Sequence, residues 1–298
     1  MIEPPDKFNY DARQRHNYMH YSDAIMQNYC RHEEFEFERS LYNFRAYDTN
    51  QVERGIIRKT ILAIAQVELK LETFWSGLSE RIPNYGAVEA SFRNSESRHV
   101  NIYRQLLDVF DIEDSFKQLS EVPAIQARND YLEDCIKGVD SLEEENYTKS
   151  VLLFSTFVEN VSQCCQFLII KSFGEYNLRR VLHQLGDLVK RTSRDRRIRG
   201  LFGQELAQKS QTPKIMPGGF KKDIQRVCRD SYNAEMDILD WIFSEGELDI
   251  LPRKYVDEFL KQRFNQSLKR ITINPIFETN DDLLGETRWF DKIYDDLF

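Results

Sequence analysis

Apolar residues recur along this chain at steps of three and four, and strand-like alternation is nearly absent. That period belongs to helices packed on one face, and the fold class it predicts is all-α. The clearest stretch is Ala87 to Phe110, where Val88, Phe92, Ser95, Glu96, His99, Tyr103, Leu106 and Phe110 share a face. Pro83 closes what precedes it, with Asn84 and Gly86 just before its start. A second stripe, within Asn50 to Gly77, holds Ile61, Ile64, Ala65, Glu68, Leu71 and Trp75. Lys149 to Phe173 is apolar over most of its circumference, as a central helix is. Its polar residues Ser155, Glu159, Ser162, Gln163 and Gln166 form a narrow stripe, either a solvent face or a seam inside a bundle. Asn177–Gln208, Asp223–Ser244 and Tyr255–Ile271 are further long helices. Ser22–Phe37 starts as a helix and ends in a charged-aromatic strip, and Pro123 opens a short helix to about Ile136. No proline interrupts the chain between Pro123 and Pro213.

Polar residues on these stripes are the candidate chemistry. At about 100° per residue, Glu96, His99 and Tyr103 fall within a sector of ~60°. Burying a carboxylate, an imidazole and a phenol costs several kcal/mol unless they are paired or metal-bound. Glu68 and Glu159 are the acids on two other apolar helices. Glu72 reads as solvated, because like charges at i,i+4 repel. His16, His20 and His32 have no metal-ligand spacing and read as surface residues.

Composition narrows the function classes. With 298 residues the chain can bury a sizeable core in one or two domains. Lys plus Arg is 41 and Asp plus Glu is 49, a net charge of −8, which argues against nucleic-acid binding. Five cysteines (Cys30, Cys135, Cys164, Cys165, Cys228) form no Cys-x-x-Cys pair, which points to a reducing compartment. No signal peptide and no apolar run long enough to span a bilayer stand out, so a cytoplasmic protein is expected. The run KRTSRDRRIRG carries Arg194, Arg196, Arg197 and Arg199 and reads as a solvated face or a weak anion patch. The segment Asn274 to Phe298 looks unpacked, with aromatic anchors at its end.

Acids on several long helices plus a Glu-x-x-His pair resemble the ferritin-like dimetal-carboxylate bundle. The local sequence resembles one family, the small, radical-generating subunit of class I ribonucleotide reductase. The resemblance rests on LAIAQVELKLETFW (Leu62–Trp75), SESRHVNIYRQLLDV (Ser95–Val109), FVENVSQCCQFLIIKSF (Phe157–Phe173), LDWIFSEGELD (Leu239–Asp249), FLKQRFNQSLKRI, TRWFD and DDLF. It implies that Glu68, Glu96, His99 and Glu159 stand at metal-ligand positions, for iron or manganese. It places Tyr103 where members that use a tyrosyl radical carry it. It also implies a dimer, either with itself or with another small subunit. A single domain, 1–275, would be followed by a tail, 276–298, docking on the large subunit through Trp289, Phe290, Leu297 and Phe298. Neither nucleic acid nor membrane is an expected partner.

The sequence departs from the family pattern in three places. The second Glu-x-x-His falls in SRDRRIRG, where the flanks match, Asp195 included, but the ligand positions hold Arg196 and Arg199. Arginine stays protonated and offers no lone pair to a metal. His183 cannot substitute, lying roughly 24 Å up the same helix. The arginines are instead expected to point inward as salt-bridge partners of Glu68, Glu96 and Glu159, and the site would be metal-free or altered. Cys30 occupies a position where the family usually has a radical-transfer tryptophan. The tail lacks the usual long link between WFD and DDLF, leaving Tyr294 as its only tyrosine. A non-catalytic paralogue that partners an active small subunit is the alternative function.

Overall fold

The computed structural model describes residues 18–297 apart from 30, 32–33, 47–48, 72, 82–84, 176–181, 210–217 and 296. His16, Cys30, His32, Glu72 and Phe298 lie outside the described residues. The helices are α1 (Met19–Gln27), α2 (Phe37–Ala46), α3 (Gln51–Lys70), α4 (Leu78–Arg81), α5 (Gly86–Val109), α6 (Glu113–Lys117) and α7 (Pro123–Ile136). They continue with α8 (Glu144–Leu153), α9 (Cys164–Glu175), α10 (His183–Lys209), α11 (Gly218–Ile242), α12 (Arg253–Arg270) and α13 (Asp281–Gly285). Among the described residues there is no strand, only an isolated bridge between Leu248 and Leu251.

Local chemistry fixes the helix ends. Asn50 caps α3 in a reciprocal box: its side chain accepts from the Glu53 N–H at 2.9 Å, and Glu53 accepts from the Asn50 N–H at 2.9 Å. Pro123 occupies the first turn of α7, where its missing N–H costs nothing. Past the end of α5, Asp111 turns the chain with φ 54°, a conformation Asp tolerates better than most residues.

The expected helix Lys149–Phe173 is broken in the middle. α8 runs into a π-helical turn, Phe154–Glu159, and α9 begins only at Cys164. The break leaves carbonyls without helical partners, and buried side chains satisfy them. The fully buried Arg128 donates to the Ser162 carbonyl in the break at 3.1 Å, and to the Ala63 carbonyl of α3 at 2.9 Å. It also pairs with Glu235 on α11 at 2.5 Å, and the Tyr131 hydroxyl donates to the same carboxylate. Ser155, Ser162, Gln163 and Gln166 are all buried, so the polar stripe is a seam inside the bundle. The span Glu144–Glu175 is long and apolar enough to cross a membrane by length and composition, contrary to expectation, but 94% of its most apolar window is buried in the bundle. That burial is what a core helix shows.

Two glycines let α10 press against this broken helix. A Cβ on Gly203 would lie 1.8 Å from Ser155 Oγ and 2.9 Å from Trp75 Cη2. One on Gly200 would lie 2.6 Å from the Asn160 amide nitrogen. This close approach brings the inward face of α10 onto Glu159.

The C-terminal segment is packed, not loose as the sequence suggests. After α13, residues Arg288–Tyr294 form a 3-10 helix lying on the bundle. Phe290 is fully buried, with its ring edge-on to Phe259 at 5.4 Å. Arg263 bonds Asp291 at 2.5 Å, and the Tyr294 hydroxyl lies 2.6 Å from Ser193 Oγ on α10.

Candidate functional site: an arginine–carboxylate core

Four helical segments supply the polar centre of the bundle. α3 contributes Glu68, α5 contributes Ser95, Glu96, His99 and Tyr103, the π turn contributes Glu159, and α10 contributes Asp195, Arg196 and Arg199. Glu68, Glu96, His99, Glu159, Asp195, Arg196 and Arg199 are all buried. Their helices are apolar on the same faces, so packing those faces draws the polar residues inward together.

The arginines face the acids. Arg196 Nε donates to Glu68 Oε1 at 2.8 Å, and its Nη1 donates to Glu159 Oε2 at 3.1 Å. Arg199 Nε donates to Glu159 Oε1 at 2.8 Å, its Nη2 to Glu159 Oε2 at 3.4 Å, and its Nη1 to Ser95 Oγ at 3.2 Å. The Trp75 indole N–H adds a bond to Glu159 Oε1 at 2.9 Å. Trp75 is held edge-on to Phe92 at 5.4 Å and Phe202 at 5.6 Å, an aromatic wall that keeps water from this carboxylate.

His99 bridges two carboxylates. Its Nδ1 stands 3.4 Å from Glu68 Oε2 and its Nε2 3.3 Å from Asp195 Oδ2. Asp195 also accepts from the Ser95 hydroxyl at 2.5 Å and from the side-chain amide of Asn28, the residue just past α1, at 2.5 Å. Glu96 stands apart: its Oε2 is buried without a hydrogen-bond partner among the described residues. The Tyr103 hydroxyl, fully buried, donates to Thr192 Oγ1 at 3.4 Å.

Charge and burial set the protonation of the group. Burial pushes the Glu68 carboxyl up, but Arg196 and then His99 outweigh it and hold it below the usual carboxylate range. Burial likewise opposes charge on Asp195, and His99, Arg199 and Ser95 hold it low. His99 is pulled down by burial and raised more by Asp195 and Glu68. Glu96 goes the other way: burial drives its carboxyl well above the usual range, with Arg199 only partly opposing. The centre therefore closes near neutrality. Glu68, Glu159 and Asp195 are balanced by Arg196, Arg199 and protonated His99, while Glu96 stays uncharged.

A two-metal centre does not fit these residues. Three of the four oxygens of Glu68 and Glu159 already accept from guanidinium groups lying where the second Glu-x-x-His would place ligands. Guanidinium has no lone pair to give. Among the described residues, no group of three His, Cys, Asp or Glu side chains is arranged to hold a metal ion.

Of the positions singled out in the sequence, Glu68, His99 and Glu159 are brought together with both arginines, and Glu96 lies beside them without a bond from its Oε2. Sequence reasoning missed the parts played by Trp75, Ser95 and Asn28. Asp195 carried a usable signal, the one acid inside a basic run. His20 is exposed, as expected. Phe290, expected at a partner surface, is instead buried against Phe259, because the short tail folds onto its own bundle.

Comparison with solved structures gives the same helical architecture. A putative class I ribonucleotide reductase from Bacillus halodurans superposes with a TM-score of 0.78 at 10% identity, covering 93% of this chain and 99% of that one. The dimanganese(II)-NrdF of Streptococcus sanguinis gives 0.70 at 13% identity, covering 96% and 98%. The ribonucleotide reductase Rnr4 homodimer of Saccharomyces cerevisiae gives 0.70 at 15% identity, covering 94% and 84%. No curated protein sequence matches the chain. The bundle is thus of the ferritin-like, small-subunit type. The family described as the ribonucleotide reductase small chain matches residues 7–283, and the chain belongs to that family. Its function is that of a small chain in the reduction of ribonucleotides to deoxyribonucleotides.

Proposed function

We propose that this small chain serves ribonucleotide reduction with a polar core closed by arginine–carboxylate pairs in the place of a metal pair. The observation that carries the reading is Arg196, whose guanidinium joins Glu68 to Glu159. In this reading Glu68, Glu96, His99 and Glu159 keep ligand positions, iron or manganese is not retained as a pair, and the arginines and His99 supply the compensating positive charge. Tyr103 is the residue for a radical, in a dry pocket against Thr192. The protein works in the cytoplasm as a dimer bound to the large subunit. Docking falls to the last residues, Leu297 and Phe298, with Trp289 and Phe290 serving as the anchor that holds the tail to the bundle.

A second reading rests on the same arginines, while the family and structural matches support the first. With both ligand positions taken, the chain acts as the partner of a complete small subunit and contributes its dimer and docking surfaces.

One experiment tests both. The chain is expressed, loaded anaerobically with Fe(II) or Mn(II), and analysed for metal content and EPR signal. It is then assayed with the large subunit, alone and with a complete small subunit. Metal well below two per chain with activity alone supports the first reading. Activity only in the presence of the complete small subunit supports the second. Two metals per chain would overturn the arginine-closed core.

A further inference from the structure

A second group of arginines lies beside the first, one from α10 and two from α12. Arg197, Arg263 and Arg270 line one small cavity with Ser193, Gln266 and Tyr294, where α10, α12 and the C-terminal 3-10 helix meet. Glu159 and Arg196 form its inner wall, but their charges are already matched within the core.

The protein leaves this cavity short of negative charge. Asp291 bonds Arg263 at 2.5 Å and is the carboxylate whose field also reaches Arg197 and Arg270. Three guanidinium groups against one carboxylate leave an excess of about two positive charges in a half-buried space. The remaining partners are neutral. Arg197 Nη1 donates to the Asn160 side-chain oxygen at 3.0 Å, and Arg263 Nη1 donates to Gln266 Oε1 at 3.3 Å. Arg263 is 8% exposed, and its Nε is buried without an acceptor among the described residues. No described side chain accepts from the Arg270 guanidinium.

A structural role explains part of this. Arg270 sits in the last turn of α12, where the helix dipole favours a cation. Arg263 stacks on Phe259 at 4.2 Å. Arg197 lies over the Tyr294 ring at 5.7 Å. None of these contacts supplies an anion. Burial and the fields of Arg197 and Arg263 pull the Arg270 guanidinium down to about 9, the response of a cation crowded by cations.

We propose that Arg197, Arg263 and Arg270 form a binding site for a small tetrahedral dianion of the phosphate type. Forked guanidinium groups match the oxygens of such an ion in pairs, and its charge equals the excess. The cavity measures 10 Å3 to the centres of water-sized spheres, room for one water. A phosphate is larger than this space, so binding requires the partly exposed Arg270 side chain to shift outward while keeping its guanidinium on the ion. The ion bridges α10 to α12 beside Tyr294 and Asp291, so binding also fastens the C-terminal helix to the bundle. The source is either free inorganic phosphate or the terminal phosphate of a nucleotide.

The test titrates the full chain with inorganic phosphate, with ADP and with chloride at matched ionic strength, by calorimetry and thermal melting. Phosphate is expected to bind once per chain and to raise the melting temperature, with affinity at least tenfold weaker in R270Q. Binding of phosphate alone identifies the free ion, and binding of ADP as well identifies a phosphate ester. Because the variant relieves repulsion, R270Q in anion-free buffer is expected to melt no lower than the parent. No saturable phosphate binding, an equal response to chloride, or unchanged affinity in R270Q would overturn the proposal. So would a marked loss of stability in anion-free R270Q, since a protein carboxylate would then be the partner.

Discussion

Arg196 Nε and Glu68 Oε1 meet at 2.8 Å across 128 residues of sequence, in a part of the bundle where each side chain is buried. The contact ties α10 to α3, and Nη1 of the same guanidinium reaches Glu159 on the π turn at 3.1 Å. Removing the cation leaves two buried carboxylates facing each other. Arg196→Met is therefore expected to lose about 3–5 kcal/mol of stability in urea unfolding, the usual result of breaking one side of a buried pair. The double variant R196E/R199H restores Glu-x-x-His. It should be less stable than the parent in chelator and should gain melting temperature and near-stoichiometric metal with Fe(II) or Mn(II). An unchanged metal content in the double variant would show that more than the two arginines excludes metal.

The pH dependence of stability separates the acids by sign. Glu96 has a raised pKa in the folded state, so the stability it contributes is complete below its unfolded value of about 4.3 and is lost as pH rises toward the folded value. His99 is also raised, so its contribution is complete below about 6.5 and is lost as pH climbs through the higher folded value. Glu68 and Asp195 are lowered, and their contribution is present above about 4 and fades only as pH falls. Replacing Glu96 by Gln removes one proton from this balance. E96Q should remove a decline in unfolding free energy that sets in above pH ~4.3 and reaches at most about 1.4 kcal/mol per pH unit. E68Q should destabilise at neutral pH, because it strips Arg196 of its anion. If E96Q and E68Q move stability the same way at pH 7, the two carboxyls do not differ in charge as described.

Much of this centre was legible because it violates the hydrophobic pattern. Glu68, Glu96 and His99 stand out as polar residues on apolar stripes, and the helix period places them inward without further knowledge. Arg196 and Arg199 do not stand out that way. Their run is basic on both sides, and only the family resemblance set the register that turns them inward and leaves Arg197 on another face. Glu159 was found, but not the π turn that carries it, because a segment apolar all round gives no phase by which to detect an extra residue per turn. Trp75, Ser95 and Asn28 bond the core across long sequence separations, and no local pattern announces such contacts. Helix α2 begins at Phe37, where the charged-aromatic strip ends, and is not assigned from the sequence although it is amphipathic.

Tyr103 lies in the same dry interior, and its hydroxyl makes a long bond to Thr192 at 3.4 Å. Tyr103→Phe keeps the ring and removes the long bond to Thr192, so the stability cost should be about 1 kcal/mol. Any tyrosyl EPR signal from the chain should vanish in this variant while the melting curve stays near that of the parent. A signal that survives would move the radical to another residue.

The glycines of α10 make a steric prediction. In Gly203→Ala the new methyl meets Ser155 Oγ and the Trp75 ring, both held by packing rather than by flexible chain ends. Helix α10 must move away from the π turn, which lengthens the Arg199–Glu159 bonds along with the contact itself. A loss of about 1–3 kcal/mol is expected from overpacking of this kind. Adding Ser155→Gly should recover part of the loss, because it clears the nearer clash and leaves the Trp75 contact. If the double variant is no more stable than the single one, the close approach at Ser155 is not the cause.

The tail makes the last prediction, and it separates anchoring from docking. Phe290 is fully buried against Phe259, whereas Leu297 is only partly buried against the bundle. Phe290→Ala should therefore cost about 3–5 kcal/mol, as core aromatic truncations do. Removing residues 296–298, which takes away only the partly buried Leu297 among the described residues, should lower the melting temperature far less. If docking on the large subunit belongs to Leu297 and Phe298, that truncation abolishes complex formation in sedimentation or calorimetry, and a peptide of the last residues competes with the intact chain. If docking instead requires the 3-10 helix to peel off the bundle, the truncated chain still binds. Destabilising the anchor with Phe290→Ala would then tighten the complex instead of leaving it unchanged. The two variants measured together decide between a tail that docks by its tip and one that must first leave its own fold.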